Sequence, residues 1–180
     1  MKKALPALLC LVYSNIGFSQ QLYTPTDAGS KVHFVIKNFA IKTGGDFQGL
    51  KGAINFDPAK PASSSIEVSV DAATVDTDSE MRDDHLKQDE YFDAVKYPTI
   101  NFKSTKVTAA NKPGWFYVFG NLTIKSITKP VEFGFTATAQ DEGYLFEGEF
   151  EIDRLDFKVG EKSITMQDKV QISLKVFARK

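Results

Sequence analysis

The chain has 180 residues, 42% of them apolar and 25% charged, with a formal net charge of −1. That length suits one domain, and the near-neutral charge argues against nucleic acid, which demands clustered Lys and Arg against its phosphates. Phenylalanine is the outlier, 15 residues against 1 Trp and 6 Tyr, enough large rings to thicken a β-core or to line a cavity for something greasy.

Lys2 and Lys3 precede an apolar run from Ala4 to Tyr13, and Gly17 and Ser19 then give the small-x-small spacing that a signal peptidase reads. Residues 1–19 are expected to be a removed signal peptide, with 20–180 as the single mature domain. The run is too short to span a bilayer, so no integral membrane segment is expected. Cys10, the one cysteine, lies inside the signal. Leu9 precedes it where lipoprotein processing wants a small residue, so acylation is rejected. The mature chain then offers no disulfide, thiolate nucleophile or Cys-ligated metal.

The mature chain is patterned with period 2. Val32, Phe34 and Ile36 alternate with Lys31, His33 and Lys37. Leu50, Ile54 and Phe56 follow, interrupted by Gly49 and Gly52. Ile66, Val68, Val70 and Ala72 alternate with Ser65, Glu67, Ser69 and Asp71. Ile100 and Phe102 face away from Asn101 and Lys103. Trp115–Ile124 is apolar on both faces. Val131, Phe133 and Phe135 share one side of the next strand. Tyr144, Phe146, Phe150 and Ile152 oppose Glu147, Glu149 and Glu151, and Val170, Ile172, Leu174 and Val176 oppose Lys169, Gln171, Ser173 and Lys175. These are eight strands with mostly short, Gly- and Pro-punctuated turns, so sequence neighbours should pair antiparallel. The pattern predicts an all-β fold, an eight-stranded antiparallel barrel or a two-sheet sandwich. Glycines within strands, at Gly49, Gly52, Gly120, Gly134 and Gly148, favour the barrel, which needs sharp bends.

One stretch breaks the pattern. Asp78–Gln88 is dense in charge and reads as a short helix, with Thr77 and Glu80 in capping-box spacing. A turn through Tyr91 and Phe92 follows, and Pro98 starts the next strand. The helix should cross one barrel rim, pinned by Met81, Leu86, Tyr91 and Phe92.

Chemistry is poorly supported. His85 beside Asp83 or Asp84 has the elements of a base and its orienter, but adjacent helical residues diverge. Ser79 and Ser104 qualify as nucleophiles by residue type only, and no nucleophile elbow is present. Arg82, Asp83 and His85 therefore read as anchors of the helix, with no catalytic residues assigned. The two histidines, His33 and His85, are far apart, and "DTDSEMRDD" lacks the EF-hand spacing, so no metal site and no cofactor are expected. The "NLT" sequon at Asn121 falls mid-strand and is discounted.

"DTDSEMRDDHLKQDEYFDAVKYPTINFKST" followed by "GNLTIKSITKPVEF" resembles the YceI-like family of exported bacterial proteins. "SKVHFVIKN" and "GDFQGLKGAINFDP" extend the likeness over nearly the whole mature chain. The resemblance implies a lipocalin-like barrel, a periplasmic or secreted bacterial location, and non-catalytic binding, storage or transport of a long-chain isoprenoid lipid, such as an isoprenoid quinone, in the lumen. Burial contributes about 0.8 kcal/mol per CH₂, so several isoprene units suffice for micromolar affinity. On that reading Ile36, Val68, Val70, Phe102, Phe133, Phe135, Phe146, Ile172 and Leu174 line the lumen. Arg82, His85 and Phe92 sit at the mouth, the first two near a head group. Without the resemblance, the same rings read more simply as the filling of a core, since nothing in the pattern reveals a void. Two departures stand out. Asn38 occupies a position where the family usually has His. Arg154-Leu155-Asp156-Phe157 is followed by Lys158 where the family has Gly, which predicts an altered loop after the seventh strand. A homodimer is compatible with the pattern. Two rival classes are an envelope hydrolase centred on His85 and a protein–protein module of the stressed envelope.

Overall fold

The computed structural model describes residues 21–39 and 41–180; the expected signal peptide and Cys10 lie outside them. Among the described residues, nine β-strands form one antiparallel sheet: β1 (Leu22–Asn38), β2 (Ile41–Phe47), β3 (Lys51–Asn55), β4 (Ser65–Asp71), β5 (Thr99–Ala109), β6 (Trp115–Ile124), β7 (Ile127–Gln140), β8 (Gly143–Asp153) and β9 (Met166–Arg179). Strand β9 pairs back onto β1, from Thr24↔Arg179 to Asn38↔Met166, and closes the barrel. β2 and β3 are two halves of one wall position, since both pair with β1, so the barrel is eight-stranded as the periodicity predicts.

The break between β2 and β3 has a local cause. Gly49 takes φ 76° and Gly52 φ 126°, values that a side chain disfavours. The Asp27 carboxylate accepts from the backbone N–H of Gly49 (3.1 Å) and Leu50 (2.9 Å), replacing ladder bonds lost at the bend.

Two stretches of strand escape the periodicity. β1 begins at Leu22, ten residues before its clear alternation, and β2 is not foreseen at all. "IKTGGDF" shows no alternation because Gly44 and Gly45 carry no side chain. Gly45 instead makes room: a Cβ there would lie 2.5 Å from the Phe34 ring. At the other end of its range, β4 stops at Asp71, and Ala72 starts a 3₁₀ turn rather than extending the strand.

The two barrel ends differ. Strand directions place the 56–64, 110–114 and 141–142 connections at one end. There Phe56, 2% exposed, sits among Phe116, Phe135, Tyr144 and Phe146, with ring centroids 5.1–6.1 Å away. Tyr23 packs edge-on to Tyr144 at 5.3 Å, and burial pushes its phenol pKa up, with Tyr144 and Asp57 adding to the rise. This aromatic layer is the floor. The 72–98 and 154–165 connections cross the opposite end.

Candidate functional site: an apolar lumen with one covered end

Above the floor the barrel encloses a cavity of about 440 Å³, walled by apolar side chains from β1 to β9. That size lies within the usual range for small-molecule pockets. Closed antiparallel pairing makes alternate residues face inward. Val32, Leu174, Gly148 and Phe135 form one row around the wall, and Phe34, Ile172 and Phe150 another. Phe133 stacks on Phe150 at 4.5 Å and leans on Phe102 at 5.8 Å, giving one aromatic side to the chamber. Gly120 leaves space for the Phe102 ring, which a Cβ would meet at 2.5 Å.

Ile36, Val68, Val70, Phe102, Phe133, Phe135, Phe146, Ile172 and Leu174 all line this cavity, and Arg82, His85 and Phe92 border it. The lining also includes Val118, Leu122 and Ile124, which pattern reading cannot select because β6 is apolar on both faces. Trp115, Tyr117 and Asn121 are the residues that β6 turns to solvent.

The insertion between β4 and β5 is a cover. Its helix α1 (Glu80–Leu86) is shorter than expected, and the capping box does not form. Ser79 precedes the helix without a side-chain cap. Asp78 takes φ 59° and turns the chain away before the helix begins. Thr77 has a different task. Its N–H (2.9 Å) and hydroxyl (2.5 Å) donate to buried Asp83, while Arg82 donates to the Thr77 hydroxyl (2.7 Å) and carbonyl (2.6 Å). This network satisfies the buried carboxylate and ties the helix to the strand end.

Phe92 drops into the barrel and meets Phe47 edge-on at 5.3 Å. Leu86 also packs inward, whereas Met81, expected to pin the helix, is 84% exposed. On so short a helix, Arg82 and Asp83 occupy the turn facing the barrel, which leaves Met81 outside. The far edge of the cover is held by the Gly160 N–H to the Glu90 carbonyl (2.9 Å) and by Lys125 to the Asp89 carbonyl (2.6 Å).

Arg154 supports that edge from below. It is 4% exposed and donates to the carbonyls of Gln167 (3.1 Å) and Val159 (3.0 Å) and to Asp168 (3.0 Å). Lys158 adopts φ 54°, ψ 43°. The loop therefore keeps the left-handed turn that glycine favours, and the expected alteration reduces to strain in one residue. Lys158→Gly should stabilise the protein by about 0.5–1 kcal/mol, read as a higher urea midpoint at unchanged slope.

The lining includes the polar residues Asn38, Thr43, Thr77, Arg82 and His85, and on the wall also His33, Ser69, Asn101, Glu147 and Arg154. His85 stands edge-on to Tyr91 at 4.9 Å and reaches Glu90 at 3.5 Å. Ser104 accepts from the Ile66 N–H at 2.8 Å, on the wall of the barrel. Among the described residues no hydrogen bond joins His85 to a hydroxyl, and no cluster of His, Cys, Asp and Glu is arranged to hold a metal ion. No helix among them is long and apolar enough to cross a membrane.

A closed eight-stranded antiparallel barrel with a mainly apolar lumen defines a lipocalin-like architecture. Residues 23–178 match the model of the YceI-like domain, and the chain belongs to that family. A UPF0312 protein of Vibrio cholerae serotype O1 (strain M66-2) is 32% identical over 136 residues, covering 73% of this chain and 71% of that one. A UPF0312 protein of Azotobacter vinelandii is 33% identical over 121 residues, or 64% and 62% of the two chains. The match spans only 44% of a further relative from Photorhabdus laumondii, so less than two thirds of these last two proteins is represented. In structure, Burkholderia cenocepacia BcnA superposes with a TM-score of 0.79 at 31% identity, over 83% of this chain and 96% of that one. A polyisoprenoid binding domain from Saccharophagus degradans shares the fold, with a TM-score of 0.71 at 13% identity over 87% and 97%.

Proposed function

We propose that the barrel binds a polyisoprenoid or similar long-chain lipid, such as an isoprenoid quinone, in its lumen, and stores or carries it in the bacterial cell envelope without chemical change. The observation that carries this reading is the cavity itself: about 440 Å³ walled mainly by Phe, Ile, Leu and Val and floored by the Phe56 cage. Such a chamber suits a linear apolar chain with a small polar head, because contact with hydrocarbon is non-directional and selectivity comes from depth and rim. The polyisoprenoid-binding domain from Saccharophagus degradans has the same architecture, which supports the class of ligand.

A non-catalytic role is supported by the surroundings of His85, whose partners are Glu90 and Tyr91. An interior of this size also favours a carrier over a module that uses only its outer surface. Titration of delipidated protein with a fluorescent long-chain prenol should saturate at one chain per barrel with micromolar or tighter affinity. A short, polar alcohol should not compete. Failure to take up the prenol overturns the reading.

A further inference from the structure

The cavity edge is continuous with an exposed apolar point. Asn38, which lines the cavity, pairs with Ile41 on β2 and with Met166 on β9. Just beyond it, Phe39 is 74% exposed and Ile41 71%, and the Phe39 N–H donates to Thr165 at 2.7 Å, which brings fully exposed Ile164 alongside. Phe39 holds φ 54°, a conformation seldom adopted by a bulky residue. Three large apolar side chains thus stand in solvent beside the opening.

Their charged neighbours have one dominant sign. Lys37 and Lys42 face each other across the β1–β2 pairing, and Lys162 precedes Ile164 by two residues. None of the three lysines has an ion-pair partner among the described residues. Glu161 is the single carboxylate in the adjoining loop stretch 158–165. The cover, whose edge meets this loop at Gly160, carries the carboxylates Asp84, Asp89 and Glu90.

We propose that Phe39, Ile41 and Ile164, flanked by Lys37, Lys42 and Lys162, form a docking surface for an anionic lipid bilayer. The apolar tips enter the headgroup boundary and the lysines meet lipid phosphates. This places the cavity edge at the interface, where an apolar chain passes between bilayer and lumen with little exposure to water. That use in loading rests on the proposed lipid cargo; the docking itself does not.

The test is co-sedimentation of delipidated protein with vesicles of phosphatidylcholine alone and of phosphatidylcholine and phosphatidylglycerol in equal parts. The protein should pellet with the anionic vesicles and be released by high salt. Each lysine near an anionic surface contributes about fivefold, so K37E/K42E/K162E should weaken binding on the order of a hundredfold. F39S/I41S/I164S should also lose binding while prenol uptake in solution is unchanged. Absence of binding to anionic vesicles, or equal binding by the apolar triple variant, overturns the proposal. So does self-association in the ultracentrifuge that the apolar variant abolishes, which would assign the patch to a second copy. Vesicle binding that survives alongside failed prenol uptake would reject the cargo and keep the docking surface.

Discussion

Phe56→Ala should destabilise the barrel by about 4 kcal/mol and lower its thermal midpoint by roughly 10 °C. Phe56 is 2% exposed and meets four aromatic rings at 5.1–6.1 Å. Truncation removes its burial and its edge-to-face contacts, and leaves a void that rigid neighbouring rings fill poorly. Phe135 and Phe146 belong both to this cage and to the cavity wall, so the void adjoins the lumen. The variant should therefore also shift preference toward longer chains. Chemical denaturation gives the first effect, and competition between prenols of different length gives the second. A loss under about 1 kcal/mol would mean that the floor is not built as described.

Leu174→Trp should cost about a hundredfold in prenol affinity and change stability by no more than about 1 kcal/mol. Leu174 sits midway along β9 between Val32 and Gly148 and faces the cavity. An indole there projects into open space rather than into a packed core, so overpacking is small. Displacing about four CH₂ groups of the ligand forfeits roughly 3 kcal/mol, the origin of the hundredfold loss. Lys175→Trp is the control. It places the same ring on the exposed side of the strand and should leave affinity unchanged. Equal loss in both variants would detach binding from the lumen.

The strands most legible in sequence are those whose two faces differ sharply. Ser65–Asp71, Gly143–Asp153 and Met166–Arg179 alternate cleanly because one face is lumen and the other is water. The inward sets read from them line the cavity, except Tyr144, which joins the floor. β2 is invisible because its place in the wall depends on an absence, the missing side chain of Gly45 that admits the Phe34 ring. β6 is recognisable as a strand but not by face, since Trp115, Tyr117 and Phe119 mimic a core side. The cover is recognisable as a helix but misread in detail. Thr77 matches a capping spacing, yet a buried Asp83 competes for its hydroxyl and wins, because an unsatisfied buried carboxylate costs far more than an uncapped helix end. Met81 follows from the same geometry. A local pattern cannot reveal a tertiary competitor, nor can it tell a filled barrel from one with a chamber.

The most direct test of the central claim is native mass spectrometry of the protein purified from its own source, with organic extraction of the same sample. One copy of a long-chain isoprenoid should be found per barrel, released on denaturation and absent from Leu174→Trp. Protein that emerges empty, and that stays empty when offered a long prenol or quinone analogue, would contradict the account.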